Sequence, residues 1–420
     1  MKLPDVSLPE HGTPHDELFA RMRERKTADA DWRGGKTWSL IYPAGEDVDA
    51  VLHEANNLYL FENALNPFRF PSLADMEKEV VAMTARLLNA PPEGSGVLTS
   101  GGTESIVQAV RVARDRARAE RGIPQGERAK LVIPYSAHPA FAKAAKYFDL
   151  ELVHIPLDDD LRADVRKADV LIDDRTALVV GSAPNYPHGV VDPIPELSAM
   201  AAERGIPFHT DACVGGFLLP FMERAGYDVP PFDFRVPGVS TMSADVHKYG
   251  FCTKGASVVL HGDGNHVLQY QAFLYEDWPG GMYGSLALAG ARPASPIAAA
   301  WAVMNFLGVD GYVRLVKQTM ETAQAIRRGV EDLGLRTIGK PVASVLAFGA
   351  RSSSIDIMAV GDLMDDKGWG LDRQHGPDAL HMMVSPAHER IVEEFLSDLR
   401  DAVEHAGESR GVKARYSDVQ

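Results

Sequence analysis

The sequence predicts an α/β fold: a large, mostly parallel sheet with helices on both faces, followed by a small C-terminal α/β domain. Three observations predict it. Between residues 97 and 260, short apolar runs alternate with stretches of helical period, and such βα alternation builds parallel sheets. The run over 177–182 (Ala-Leu-Val-Val-Gly-Ser) is apolar on successive positions, as a strand buried on both faces must be. Beyond Lys340-Pro341 the pattern changes to shorter strands and helices, which marks a second unit.

Taken in order, residues 1–62 are broken repeatedly by Pro and Gly and carry Trp32 and Trp38. They read as an arm that packs on another unit. The large domain is expected over 63–335 and the small one over 336–420. Leu73, Met76, Val80, Val81, Met83, Leu87 and Leu88 recur at helical spacing over 72–89, with Ser72 as candidate N-cap. A short strand over 97–99 leads through Ser100-Gly101-Gly102-Thr103 into a helix over 105–121. Strands follow at 131–134, 151–155, 177–182, 208–211, 239–243 and 256–260, with helices at 138–148 and 195–204. Long helices are expected over 294–307 and 312–333. In the small domain 342–348, 355–359 and 379–384 read as strands, and 360–367 and 386–405 as helices. The last ten or so residues are polar and expected to be loosely held.

Bulk composition removes several function classes. The 420 residues are 45% hydrophobic and 24% charged, the balance of an ordinary soluble globular chain. The net charge is −15, with 43 basic against 58 acidic residues and no dense Lys/Arg block, which sets nucleic acid aside as a partner. The cluster Arg21-Met22-Arg23-Glu24-Arg25-Lys26 is interrupted by acid and suits a solvated helix face. The two cysteines, Cys213 and Cys252, do not make a disulfide scaffold; a reducing compartment, hence the cytoplasm, is expected. The start of the chain has no apolar leader, and no uncharged apolar run reaches the roughly 18 residues a membrane helix needs.

Chemistry concentrates in two segments. Ser243-Ala-Asp-Val-His-Lys-Tyr-Gly250 places Lys248 beside His247 at the end of an apolar run. Pro207-Phe-His-Thr-Asp-Ala-Cys213 reads as a short buried strand ending in the carboxylate of Asp211. A buried lysine that can lose its proton and a buried aspartate that keeps its charge are the pair that pyridoxal 5'-phosphate chemistry needs. The amine holds the cofactor aldehyde as a Schiff base, and the carboxylate pairs with the protonated ring nitrogen. Taken alone, the two segments fit ordinary ion-pair residues at strand ends equally well. The strand, Gly-Gly-Thr turn and helix start around Gly102 and Thr103 form an anion site, because free N–H groups at a helix N-terminus point at the ligand. A plain Thr N-cap is the alternative there.

These segments occur in one order with Asp233-Phe-Arg-Val-Pro-Gly-Val239, Lys254-Gly255 and Asp277-Trp-Pro-Gly-Gly281. The set resembles the sphingosine-1-phosphate lyases, within the wider pyridoxal-phosphate decarboxylase group of the aspartate aminotransferase fold (fold type I), over roughly residues 38–400. The resemblance implies roles. Lys248 would be the Schiff-base lysine, its pKa depressed so that some amine stays nucleophilic, and Asp211 the partner of the ring nitrogen. His138, in Tyr135-Ser-Ala-His-Pro-Ala-Phe141, matches the histidine that stacks on the ring; a helix cap or surface residue is the plainer reading. Gly102 and Thr103 would hold the cofactor phosphate with His247 assisting, and Ser285 would reach it from the neighbouring subunit of a homodimer. Tyr42 and Lys254 match residues near the substrate. Cys213 and Cys252 read as packing residues.

The family's Asn-x-Leu-His-Pro segment binds the substrate phosphate, and here it reads Asn63-Ala-Leu-Asn66-Pro67. Asn66 donates hydrogen bonds but carries no charge, which alters phosphate affinity. The implied activity is retro-aldol cleavage of a phosphorylated long-chain base, an amino-alcohol lipid, to a fatty aldehyde and phosphoethanolamine. Two alternatives stand beside it. One is an amino acid decarboxylase of the same fold, with Arg292 or Arg373 binding the carboxylate. The other is a non-catalytic protein that binds the cofactor.

Overall fold

The computed structural model describes residues 3–417; the expectations for residues 1–2 and 418–420, part of the leaderless start and the loose end, lie outside it. The large sheet is built from β1 (Ser95–Thr99), β2 (Lys130–Pro134), β3 (Glu151–Ile155), β4 (Thr176–Ser182), β5 (Phe208–Asp211), β6 (Thr241–Ala244) and β7 (Ser257–His261), in the order β1-β7-β6-β5-β4-β2-β3. From β3 to β6 every neighbour is parallel, while β7 is antiparallel to both β6 and β1. Every residue of β4 is buried, as its unbroken apolar run requires. Residues 245–256 hold turns but no helix, so the chain leaving β6 returns directly as an antiparallel strand. That return loop carries Lys248.

The arm contributes α1 (His15–Lys26), which buries nothing, and α2 (Glu46–Leu58). α3 (Pro71–Leu87), α4 (Gly102–Glu120), α5 (Ala140–Tyr147) and α7 (Ile194–Glu203) match expected helices, and the short α6 (Val165–Leu171), α8 (Leu219–Arg224) and α9 (Gly264–Gln271) lie in segments to which the sequence assigns no element. A hairpin of β8 (Phe273–Tyr275) and β9 (Tyr283–Ser285) precedes α10 (Ser295–Asp332). Gly308 breaks α10 with φ 53°, a conformation glycine adopts without penalty, between the two helices the sequence expects. Among the described residues no helix is long and apolar enough to cross a membrane.

The C-terminal region holds an antiparallel sheet of β10 (Leu335–Thr337), β11 (Val345–Ala350), β12 (Asp372–Gln374) and β13 (Ala379–Met383), in the order β10-β11-β13-β12. The strand expected over 355–359 is instead the start of α11 (Ile357–Asp366). The Asp356 side chain accepts from Met358 N (2.9 Å) and Ala359 N (3.3 Å), satisfying donors that a helix start leaves open. So short an apolar run fits both periods, and the cap decides between them. The sheet is completed by β10 and β12, which are too short to show a period. A 3₁₀ turn (Pro386–Ile391) leads into α12 (Val392–His405).

Two of the clusters of the hydrophobic interior receive the arm. One lies around the large sheet; the other joins the end of α10 to the small sheet, α11 and α12. Trp38 of the arm belongs to the second, stacked on His388 at 4.2 Å, and Tyr42, four residues on, belongs to the first. The arm therefore packs across both clusters rather than folding by itself.

Candidate active site

Asp211 ends β5, Lys248 lies in the loop after β6, and Gly102 follows β1 and opens α4. All three sit beyond the C-terminal ends of strands that point the same way, where open α/β sheets place their ligands. Lys248 Nζ is 3.0 Å from Oδ2 of Asp245, a carboxylate only 2% exposed, and His247 Nε2 is 3.6 Å from the same oxygen. Burial pulls the Lys248 amine down, but the charge of Asp245 outweighs it and holds the amine well above its usual range. The depressed lysine expected from the sequence is thus corrected, and the carboxylate three residues upstream is the cause. Burial likewise opposes ionisation of Asp245, yet Lys248 and His247 bring its carboxyl below the usual range.

Asp211 is held from below. Its Oδ1 accepts from Cys213 N (3.1 Å) and from Ser243 Oγ (3.3 Å). Ser243 has one proton to give, so at Oγ it accepts from His209 Nε2 (3.1 Å) and Cys213 Sγ (3.2 Å). His209 therefore carries its proton on Nε2, and its buried Nδ1 has no partner among the described residues. Burial lowers His209 to about 4, so the ring is neutral.

Around Lys248 the other expected residues converge. Lys254 Nζ donates to His247 O (2.9 Å) and lies 4.8 Å above the Tyr42 ring. Lys254 is exposed at the surface, so only the inner side of its amine is desolvated; that partial desolvation, and then repulsion from Lys248, lower it to about 8. Tyr42 packs edge-on against Tyr249 at 5.2 Å and donates to Met383 Sδ (3.2 Å); burial pushes its phenol well up. His138 accepts at Nδ1 from Ala140 N (3.1 Å), so it does cap the turn before α5; burial lowers it below its usual value. His247 accepts at Nδ1 from Ala256 N (3.3 Å), and burial brings it to about 4. A Cβ on Gly102 would lie 2.8 Å from Asp245 Oδ2 and 2.9 Å from Cys213 Sγ, so only glycine fits there. Thr103 sits exposed on the first turn of α4. Burial pushes the Cys252 thiol up to about 12 and Cys213 well up, so neither is a thiolate at neutral pH.

Asn63, Asn66 and Ser285 gather elsewhere. Asn63 Oδ1 accepts from Leu65 N (3.0 Å) and Arg292 N (3.3 Å), and Asn66 Oδ1 from Phe68 N (3.0 Å) and Arg69 N (3.2 Å). Ser285 donates to Ala287 O (2.8 Å) and, with Asn66, lines a separate cavity of about 440 Å³. The two arginines weighed as carboxylate binders are engaged. Arg292 pairs with Glu77, and Arg373 with Asp362 (2.8 Å) and Asp365 (2.7 Å).

The family model described as "Pyridoxal-dependent decarboxylase conserved domain" matches residues 1–346. The chain is 43% identical to the sphingosine-1-phosphate lyase of Oryza sativa subsp. japonica over 412 residues, covering 96% of this chain and 74% of that one. The chain belongs to the sphingosine-1-phosphate lyase family. A solved sphingosine-1-phosphate lyase from Burkholderia pseudomallei is 40% identical, with a TM-score of 0.90 over 96% of this lyase and 93% of that chain. Glutamate decarboxylase from Lactobacillus brevis, at 21% identity and a TM-score of 0.84 over 98% and 97% of the two chains, shares the fold.

The lyase is a pyridoxal-phosphate-dependent enzyme, and its residues fit that cofactor. A partly accessible amine, a buried carboxylate fixed from below and a helix start bare of side chain at Gly102 meet at one edge of the sheet. Asp245, Ser243 and His209 are residues that sequence reasoning missed. Asp245 had a signal: it sits three residues before the lysine in the same motif. Tyr186 and Tyr416 were missed as well. Tyr416, in the stretch expected to be loosely held, packs instead on Tyr186 (4.9 Å) and His138 (5.4 Å).

Proposed function

We propose that this lyase cleaves phosphorylated long-chain bases, such as sphingosine 1-phosphate, at the C2–C3 bond to give a fatty aldehyde and phosphoethanolamine. The observation that carries the reading is the meeting of Lys248, Asp211 and Lys254 at one edge of the sheet, in a chain 43% identical to a protein of that name. Lys248 is the attachment point of the cofactor and Asp211 the partner of its ring nitrogen. His138 lies against the ring, and the N–H groups of Gly102 and Thr103, with the neutral His247, take the phosphate. When bound, the cofactor supplies the sink for the electron pair released as the C–C bond breaks.

Lys254 takes the proton of the C3 hydroxyl. It is the amine near Lys248 whose pKa, about 8, lies close to neutrality, whereas the Tyr42 phenol is pushed far above and serves as a hydrogen-bond donor. Below about 8 Lys254 is protonated and cannot act as a base, so kcat/KM rises as pH increases through that value. In Lys254→Gln that limb should disappear and the rate should fall by about 10²–10⁴-fold. The same limb surviving in Lys254→Gln would assign the base elsewhere.

Two further expectations belong to this reading. A homodimer is supported by exposed apolar side chains in two stretches, Phe61 (92%), Phe68 (91%), Leu274 (67%) and Met282 (71%), beside the cavity that holds Asn66 and Ser285. Ser285, Asn63 and Asn66 then serve the partner's site, and sedimentation as a monomer at micromolar concentration would contradict it. Two free buried cysteines support a cytoplasmic place, which cell fractionation checks. The site does not favour decarboxylation, since Arg292 and Arg373, the two candidate carboxylate binders, are held by carboxylates. The test of the whole is incubation with sphingosine 1-phosphate beside a panel of amino acids: aldehyde is expected from the first, and carbon dioxide from the second would overturn it.

A further inference from the structure

The C-terminal tail is tied down close to the small sheet. Ser409 Oγ (3.2 Å) and Arg410 N (2.6 Å) both donate to Asp362 Oδ2, Ser409 N donates to Asp356 Oδ2 (3.2 Å), and the Arg410 guanidinium pairs with Asp366 (3.0 Å). Asp362 is 3% exposed, and its other oxygen holds Arg373 of β12 (2.8 Å). The residue before Arg373, Asp372, accepts from the Tyr186 hydroxyl (2.8 Å). Tyr416, six residues beyond the anchor, lays its ring against that same Tyr186 at 4.9 Å. Its hydroxyl lies 3.3 Å from His138 Nε2, with the two rings at 85°.

The hydrogen bonds define the direction of this contact. His138 Nδ1 accepts from Ala140 N, so the neutral ring carries its proton on Nε2 and donates it to Tyr416 Oη. The contact is made at Nε2, with the two rings close to perpendicular. We propose that the C-terminal tail completes the active site, Tyr416 acting as a positioning residue that fixes the plane of His138 and covers the approach to Lys248. The inference rests on the Lys248 cluster being the cofactor site, and goes beyond the lyase reading, which uses no residue after Lys254 except Ser285.

The test is carried out on cofactor-loaded protein without any lipid substrate. Hydroxylamine strips the cofactor from its lysine, and loss of the visible absorption band reports how open the site is. Tyr416→Ala and a chain ending at Arg410, which keeps the anchor, should both lose the band about tenfold faster than the full chain, with unchanged thermal midpoints. Tyr416→Phe keeps the ring and loses the acceptor. It should change the rate by less than about threefold while altering the visible circular dichroism of the bound cofactor, because His138 is no longer held at Nε2. Rates within twofold of the full chain in Tyr416→Ala and the shortened chain, with the dichroism of Tyr416→Phe unchanged, would overturn the proposal. A full chain that shows no visible band with cofactor would instead strike the Lys248 assignment, which separates the two failures.

Discussion

Lys248→Ala should lose the visible band of the lysine-linked cofactor and at least about 10³-fold in activity, because the covalent attachment and the exchanging amine go together. A second effect competes with this one. Asp245 is 2% exposed and pairs with Lys248 at 3.0 Å, and removing one partner of a buried ion pair costs about 3–5 kcal/mol. A fall in activity alone would therefore not distinguish lost chemistry from a loosened loop. The double variant Lys248→Ala/Asp245→Asn removes both charges, and its thermal midpoint should recover much of the way while activity stays absent. Recovery of both together would show that Lys248 serves only the packing of the β6–β7 return.

Asp211→Asn should keep the band, since Lys248 is untouched, yet lose about 10²–10³-fold in activity, the usual scale for removing one preorganised electrostatic partner. The amide keeps an oxygen where Cys213 N (3.1 Å) and Ser243 Oγ (3.3 Å) donate, so the strand end stays in place. It carries no charge, so the ring nitrogen loses its proton and the cofactor its pull on electrons. Cofactor affinity, followed by titration of the visible band, should fall as well. Full activity in Asp211→Asn would remove Asp211 from the site and leave Asp245 as the carboxylate that matters.

The parts of the site legible in the sequence are those written in short segments. Lys248 and Asp211 stand at strand ends in apolar runs, and Gly102 stands at a strand-to-helix turn, so local pattern marks each as a position where a strand gives way to a loop. What local pattern cannot show is who stands beside whom. The sign of the Lys248 shift depends on Asp245 folding back over three residues, and burial by itself points the other way. The dependence of Asp211 on His209 needs β6 to lie against β5 in the observed register, Asp211 opposite Ser243. Tyr416 is separated from His138 by 278 residues, and nothing in a polar tail announces such a contact. Asp356 shows the same limit in the fold: a cap of two hydrogen bonds turned an expected strand into α11. Asn66 and Ser285 line a cavity of their own, a meeting of two distant segments that no local pattern announces.

The most direct measurement is to incubate the cofactor-loaded lyase with sphingosine 1-phosphate in deuterium oxide and weigh both products. Cleavage of C2–C3 with protonation at C2 predicts fatty aldehyde and phosphoethanolamine in equal amounts, the latter carrying one non-exchangeable deuterium. Consumption of the base without aldehyde, or phosphoethanolamine free of deuterium, would contradict carbon–carbon cleavage at this site.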